Sequence, residues 1–294
     1  MRIAFFGLPL AALLLARDGH TIVYAAACRA APGFRRLRSR VAPGRTTLRP
    51  DVTDPAVIDA VQAASPELIV SWFWTTKLPE PILGIAPGIG VHPSLLPRHR
   101  GPDPYFWAID CGDETTGVTA HELDAAYDTG AVLARRSLHL DPGWDAWHLA
   151  RALDRPSLAL LREVVRAYAD GKAPTAIAQD EHAATAAPEP SDEDLAIRWS
   201  WSPQRIERRV RAAAPWPGAW TEIGNRIVTI LSVRPTEDFP RALAPAEAAV
   251  RKDGLAVVRA GVGALELLAG RSDDDEAPLS REDLAELVRA SRRP

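Results

Sequence analysis

Lysine, asparagine and cysteine are nearly missing from this 294-residue chain. Lysine occurs only at 77, 172 and 252, so almost all of the basic residues are arginine, which together with the abundant alanine reads as background compositional bias. Asn225 is the sole asparagine. Cys28 and Cys111 are the only cysteines and lack C-x-x-C spacing, which indicates neither a zinc site nor a disulfide framework. They are expected to be buried, inert thiols in a reducing cytoplasm. No apolar run approaches the roughly 18 residues that a membrane helix needs. The opening Met1-Arg2-Ile3-Ala4-Phe5-Phe6-Gly7 reads as a first strand rather than a signal peptide. A cytoplasmic protein without a membrane partner is therefore expected. Nor is there a large excess of one charge: a net −3 argues neither for nor against an anionic partner, because such binding depends on local patches.

With 47% hydrophobic and 25% charged residues, the chain has the composition of one large or two ordinary globular domains. Arg2 to Phe6, the helical Leu8 to Arg17 and the apolar Thr21 to Ala25 make a strand, turn, helix, strand opening. Such a unit starts an open α/β sheet whose ligands sit beyond the carboxyl ends of the strands. The turn Gly7-Leu8-Pro9-Leu10 lacks the further glycines of a dinucleotide fingerprint, which argues against a nicotinamide cofactor. Arginines at 35, 36, 38, 40, 45 and 49 either grip phosphates or lie on a solvated face. Asp54 to Ala63 reads as a helix and Leu68 to Trp72 as a buried strand. The aromatics Phe73 and Trp74 that follow are either core or the flat walls of a pocket for a ring system.

The centre of the chain is Gly90-Val91-His92-Pro93-Ser94-Leu95-Leu96-Pro97-Arg98-His99-Arg100-Gly101, answered by Asp128-Thr129-Gly130. Pro93 and Pro97 stiffen the loop after His92. Asp128 falls on a polar connection between strands at Gly117 to Leu123 and Val132 to Leu140, where a rigid scaffold can position chemistry. The helical pattern from Asp145 to Tyr168 is expected to restart or kink at Pro156. A Pro/Ala/Glu-rich stretch then reads as a linker. The expected division is a first domain over 1–172, a linker over 173–196 and a small β-rich domain over 197–294, which carries a helix with Arg205, Arg208, Arg209 and Arg211.

His92 with Ser94-Leu95-Leu96-Pro97, Arg100-Gly101, Thr116-Gly117-Val118-Thr119, Asp128-Thr129-Gly130, Trp199-Ser200 and Ala214-Pro215-Trp216-Pro217 together resemble the methionyl-tRNA formyltransferase family, over nearly the whole chain. The resemblance implies a Rossmann-like, open and mostly parallel sheet followed by a small open β-barrel. It implies formyl transfer from 10-formyltetrahydrofolate to a primary amine, with no metal. His92 would stabilise the oxyanion or shuttle the proton, and Asp128 would orient His92 and help remove the amine proton. Folate contacts would come from Ser94, Leu95, Leu96 and Pro97, from Thr76, Lys77 and Leu78, and from Asp124 and Tyr127. Arg98, His99 and Arg100 would hold the polyglutamate tail or an anionic acceptor, or form a solvated rim. One departure stands out: the family's asparagine two places before the histidine is Gly90 here. Loss of one oxyanion donor costs about 10²–10³ in rate. A backbone N–H at Gly90 or Val91, or an ordered water, would have to replace it. If nothing does, the chain is a non-catalytic folate-binding relative. The stretch from Tyr24 to Asp51 leaves little room for the basic insertion with which the tRNA-directed members clamp their substrate, and Ser71-Trp72-Phe73-Trp74, Trp216-Pro217-Gly218-Ala219 and Gly224-Asn225 are more like the branch that formylates amino-sugar nucleotides. A small-molecule amine is therefore the expected acceptor, and initiator tRNA the alternative, in which the arginines at 205, 208, 209 and 211 would contact the nucleic acid.

Overall fold

The structure is a computed structural model that describes residues 1–291. It divides into two compact units, one of Met1–Pro104, Thr115–His139 and Arg151–Pro188, the other of Tyr105–Glu114, Leu140–Ala150 and Glu189–Pro294.

The first unit is a seven-stranded sheet of β1 (Arg2–Gly7), β2 (Thr21–Ala27), β3 (Thr46–Leu48), β4 (Leu68–Trp72), β5 (Gly88–His92), β6 (Thr115–Glu122) and β7 (Val132–His139), in the order β3-β2-β1-β4-β5-β6-β7. The helices α1 (Pro9–Arg17), α2 (Phe34–Arg38), α3 (Pro55–Ala63) and α4 (Glu80–Leu83) fall in the connections between the first five strands, all of which run parallel. Strands covered on both faces read as unbroken apolar runs, and Ile3, Ala4, Phe5 and Phe6 are completely buried. The order reverses at β1, whose neighbours are β2 and β4, and this is the point beyond which an open α/β sheet takes its ligands. Gly7 ends β1 against β4 so closely that a Cβ there would lie 1.8 Å from the Trp72 carbonyl oxygen. β6 and β7 are antiparallel additions, with His92 opposite Thr119 and Gly90 opposite His121.

After α5 (Pro104–Cys111), α6 runs without interruption over Ala146–Ala169 with Pro156 inside it, where the sequence predicted a restart or a kink. Buried Leu153, Leu160, Leu161, Val164 and Val165 keep helical spacing on both sides of the proline, so packing holds what local propensity would break. Buried Ser157 accepts a hydrogen bond from Trp72 Nε1 at 2.6 Å. Trp74 packs edge-on to Phe6, 5.6 Å between centroids, so the aromatics at the end of β4 belong largely to the core. The cysteines differ from expectation: Cys28 is half-buried, with burial pushing its thiol up, and Cys111 is exposed.

The second unit holds α7 (Asp192–Leu195), α8 (Pro203–Ala213) and an antiparallel sheet of β8 (Ala219–Ile223), β9 (Arg226–Thr236), β10 (Ala248–Val250), β11 (Ala256–Arg259), β12 (Ala264–Ser272) and β13 (Pro278–Ser280), closed by α9 (Arg281–Ser291). Register shifts between β12 and β9 bend the ladder, and the sheet is a curled half-barrel. Ser280 caps α9 through Asp283, a start signal visible in Ser-x-x-Asp. Buried Asp110 on α5 is clasped by Arg205 at 2.6 Å and Arg209 at 2.7 Å from α8, and both guanidiniums also lie against the Trp201 ring. Two of the arginines expected to meet nucleic acid are thus committed inside their own unit.

Candidate active site

Two connections at the carboxyl ends of β5 and β6 build the site. His92 is the last residue of β5 and is buried. The loop after it is stapled to β6 by Thr119, whose hydroxyl donates to the Ser94 carbonyl at 2.7 Å and accepts from the Leu96 N–H at 3.1 Å. Ser94 is fully buried and donates its own hydroxyl to the Arg98 carbonyl at 2.6 Å, so it acts within the loop. His92 Nε2 lies 2.7 Å from the His99 carbonyl oxygen. A carbonyl can only accept, so Nε2–H donates and Nδ1 is turned to Asp128 Oδ2, 3.4 Å away.

Asp128 stands in the left-handed region at φ 57°, as does His99 at φ 58°, uncommon conformations for residues with a Cβ that surrounding structure must hold in place. For Asp128 the restraint is a set of hydrogen bonds. The Gly101 N–H donates to Asp128 Oδ2 at 3.0 Å, and Gln179 Nε2 donates to the Asp128 and Gly130 carbonyls at 2.8 and 2.7 Å. Gln179 Oε1 in turn accepts from Arg100 Nη2 at 2.8 Å, and Arg100 also pairs with Glu181. Arg100 is therefore a brace for the Asp128 loop, and His99 is buried. Residues 173–188, read from the sequence as linker, are part of the first unit and supply this brace.

Lys77 and Tyr127 come together, with Nζ 4.9 Å from the ring centroid, joining the β4 connection to the Asp128 loop. Tyr127 is 47% exposed and Thr76 and Lys77 are exposed, whereas Leu78 belongs to the core. Asp124 fastens its own loop through Thr129 and the Ala126 N–H. Trp74 Nε1 is buried without a hydrogen-bond partner among the described residues. An unanswered indole donor, an exposed aromatic ring and a cation are the groups that a pterin ring with its acceptors and an acidic tail would engage, so these residues fit a folate.

Sequence patterns carried no sign of His121. Buried in β6, it donates Nδ1–H to the Glu122 carbonyl at 2.8 Å and sets Nε2 3.5 Å from Asp128 Oδ1, the carboxylate oxygen that His92 leaves unpaired. Burial pushes this imidazole below the usual histidine range, the Asp128 charge opposing and His92 adding to the effect. Only the β5–β6 register could have singled it out, because that register sets it across from Gly90.

Comparison with known proteins agrees with this geometry. The family model described as Formyl transferase matches residues 28–165, and Formyl transferase, C-terminal domain, matches 190–284. The chain is 35% identical over 282 residues to a methionyl-tRNA formyltransferase of Anaeromyxobacter dehalogenans (strain 2CP-C), covering 90% of each. In fold it is similar to HypX from Aquifex aeolicus, solved in complex with tetrahydrofolic acid, at TM-score 0.68 and 20% identity over 97% of this chain and 46% of HypX. It is similar also to an N-formyltransferase from Helicobacter canadensis, solved with folinic acid and dTDP-3-aminofucose, at TM-score 0.63 and 12% identity over 90% and 98% of the two chains. The chain belongs to the formyl transferase family.

Proposed function

We propose that the acceptor is the amino group of methionyl-tRNA. The observation that carries this reading is the 35% identity to a methionyl-tRNA formyltransferase along 90% of both chains, through both domains. It favours this reading over the small-molecule amine expected from the sequence. Part of the support for that expectation falls away too, since Trp72 is buried against Ser157 and Trp74 packs on Phe6. Among the cations exposed to phosphates are Arg35, Arg36, Arg38 and Arg40 on and beside α2, whereas Arg205 and Arg209 are committed to Asp110.

When bound, 10-formyltetrahydrofolate supplies an activated formyl group to the amine. In our reading, His92 and Asp128 handle the amine proton, Asp128 holding the imidazole and being held itself by the Gly101 N–H. Lys77, Tyr127 and the Ser94 to Pro97 loop hold the folate, the last by its fixed backbone rather than by the Ser94 hydroxyl. A second reading, an amino-sugar nucleotide acceptor, is favoured by the Helicobacter canadensis neighbour, which was solved with one.

The test is formylation of methionyl-tRNA at low salt beside a panel of amino-sugar nucleotides. Transfer to the tRNA is expected, and replacing Arg35, Arg36, Arg38 and Arg40 by glutamine should weaken tRNA binding and flatten its salt dependence by about 0.7–0.9 logarithmic units for each phosphate no longer neutralised. Formylation of a nucleotide sugar with none of the tRNA would overturn the proposal.

A further inference from the structure

Gly90 leaves a task open, and His121 has none in the proton transfer assigned to His92 and Asp128. The two are cross-strand partners on β5 and β6. A Cβ built on Gly90 would lie 3.4 Å from His121 Nε2, 3.6 Å from its Cε1 and 3.0 Å from Leu123 Cδ2. The leading edge of the imidazole therefore fills the space into which a side chain at position 90 would project. Its Nε2 also faces Asp128 Oδ1 at 3.5 Å while His92 Nδ1 faces Oδ2 at 3.4 Å, so one carboxylate serves two imidazoles.

We propose that His121 is a third catalytic residue of the formyl transfer, its Nε2 presenting to the formyl oxygen the hydrogen-bond donor that a side chain at position 90 would otherwise supply. The proposal rests on the formyl-transfer reading and assigns within it a residue of this chain. Nδ1–H is committed to the Glu122 carbonyl, so a donor on Nε2 is an imidazolium. The reaction itself provides the proton. As the amine nitrogen bonds to the formyl carbon it sheds one proton, which His92 and Asp128 take up and Asp128 Oδ1, 3.5 Å away, passes onto Nε2 opposite the developing oxygen anion. When the carbon–nitrogen bond to the folate breaks, the leaving nitrogen takes a proton and the imidazole returns to neutral. One N–H bond is lost and one gained, and nothing is oxidised or reduced. Burial keeps the imidazole neutral beforehand, ready to accept, and the charged groups that face it are Asp128 and Asp124 from the loop and His92 from β5.

Four variants in the full chain test this: His121→Met, which fills the volume without a donor, His121→Gln, whose amide nitrogen reaches the Nε2 position, Gly90→Asn, and Gly90→Asn combined with His121→Met. Readouts are kcat with 10-formyltetrahydrofolate and whichever acceptor the wild type formylates, affinity for folinic acid, and Tm without ligand. His121→Met should lower kcat about 10²–10³-fold with folinic acid affinity unchanged. His121→Gln should retain clearly more activity than His121→Met. Gly90→Asn should slow the wild type and lower its Tm by crowding the imidazole, yet speed the His121→Met protein about tenfold or more by restoring a donor. A purely structural histidine would show no such rescue. The proposal is overturned if His121→Met turns over within about threefold of wild type, or if the double variant binds folinic acid but is no faster than His121→Met. If His121→Met does not fold, Gly90→Asn decides: a slowed protein with folinic acid binding intact supports the proposal, and an unslowed one overturns it. A wild type that consumes no 10-formyltetrahydrofolate with any acceptor would sink the formyl-transfer reading itself.

Discussion

Asp128 is the residue on which the site converges: two imidazoles, one backbone N–H and a carboxamide all meet its carboxylate or its carbonyl. Asp128→Asn keeps an acceptor for the Gly101 N–H but cannot take up a proton. It should therefore fold with near wild-type Tm and lose turnover by at least about 10²-fold, measured as formyl transfer at saturating substrate. Gly101→Ala should act in the opposite way. Gly101 sits at φ 125° with a Cβ position 2.7 Å from the Ala187 carbonyl oxygen, so any side chain strains the backbone there and lowers Tm. His92 and Asp128 stood out in the sequence because proline and glycine bracket them, and Gly90 stood out as a departure from a family pattern. His121 did not, because one histidine in an alternating strand looks like any other inward residue until the register names its partner.

Elements were legible in proportion to how far local pattern decides them. The β1-α1-β2 opening shows in an apolar run, a glycine and a proline at a helix start. α6 was not legible at Pro156, because the rule that proline stops a helix yields here to a long buried face. The helix is also tied at that turn by Ser157. Ser157→Ala leaves the buried Trp72 Nε1 without an acceptor and should cost about 1–3 kcal/mol in denaturant unfolding. Residues 173–188 were unreadable for another reason: they have neither helical nor strand period, and what fixes them is a set of distant partners such as Val132 for Ile177 and Asp128 for Gln179.

Across the whole molecule, stability depends on pH through two kinds of group. His20 and His121 are held below the usual 6.5 by burial first, so the unfolded chain binds more protons below that pH. Their contribution is complete above about 6.5 and is lost as pH falls beneath it. Burial raises Asp110, but the hydrogen bonds of Arg209 and Arg205 outweigh this and leave it below 3.8, so its contribution persists above that value and is lost only as pH falls through it. Thermal stability should thus fall in two acid steps, the second smaller in a chain without this clasp, since other carboxylates such as Asp18 are also held low by their partners. Arg209→Ala leaves Asp110 buried with half its partners and should cost about 3–5 kcal/mol, read by denaturant unfolding. No helix among the described residues is long and apolar enough to cross a membrane. The Gln179 carboxamide, bridging Arg100 to the Asp128 and Gly130 carbonyls, governs where this chain can be severed. A protease nick between Lys172 and Gln179 would leave every residue of the His92, Asp128 and His121 cluster in the chain and yet slacken the tether on the backbone of the loop that carries Asp128. A nick beyond Pro188 would leave that tether on the same continuous piece as the residues it restrains.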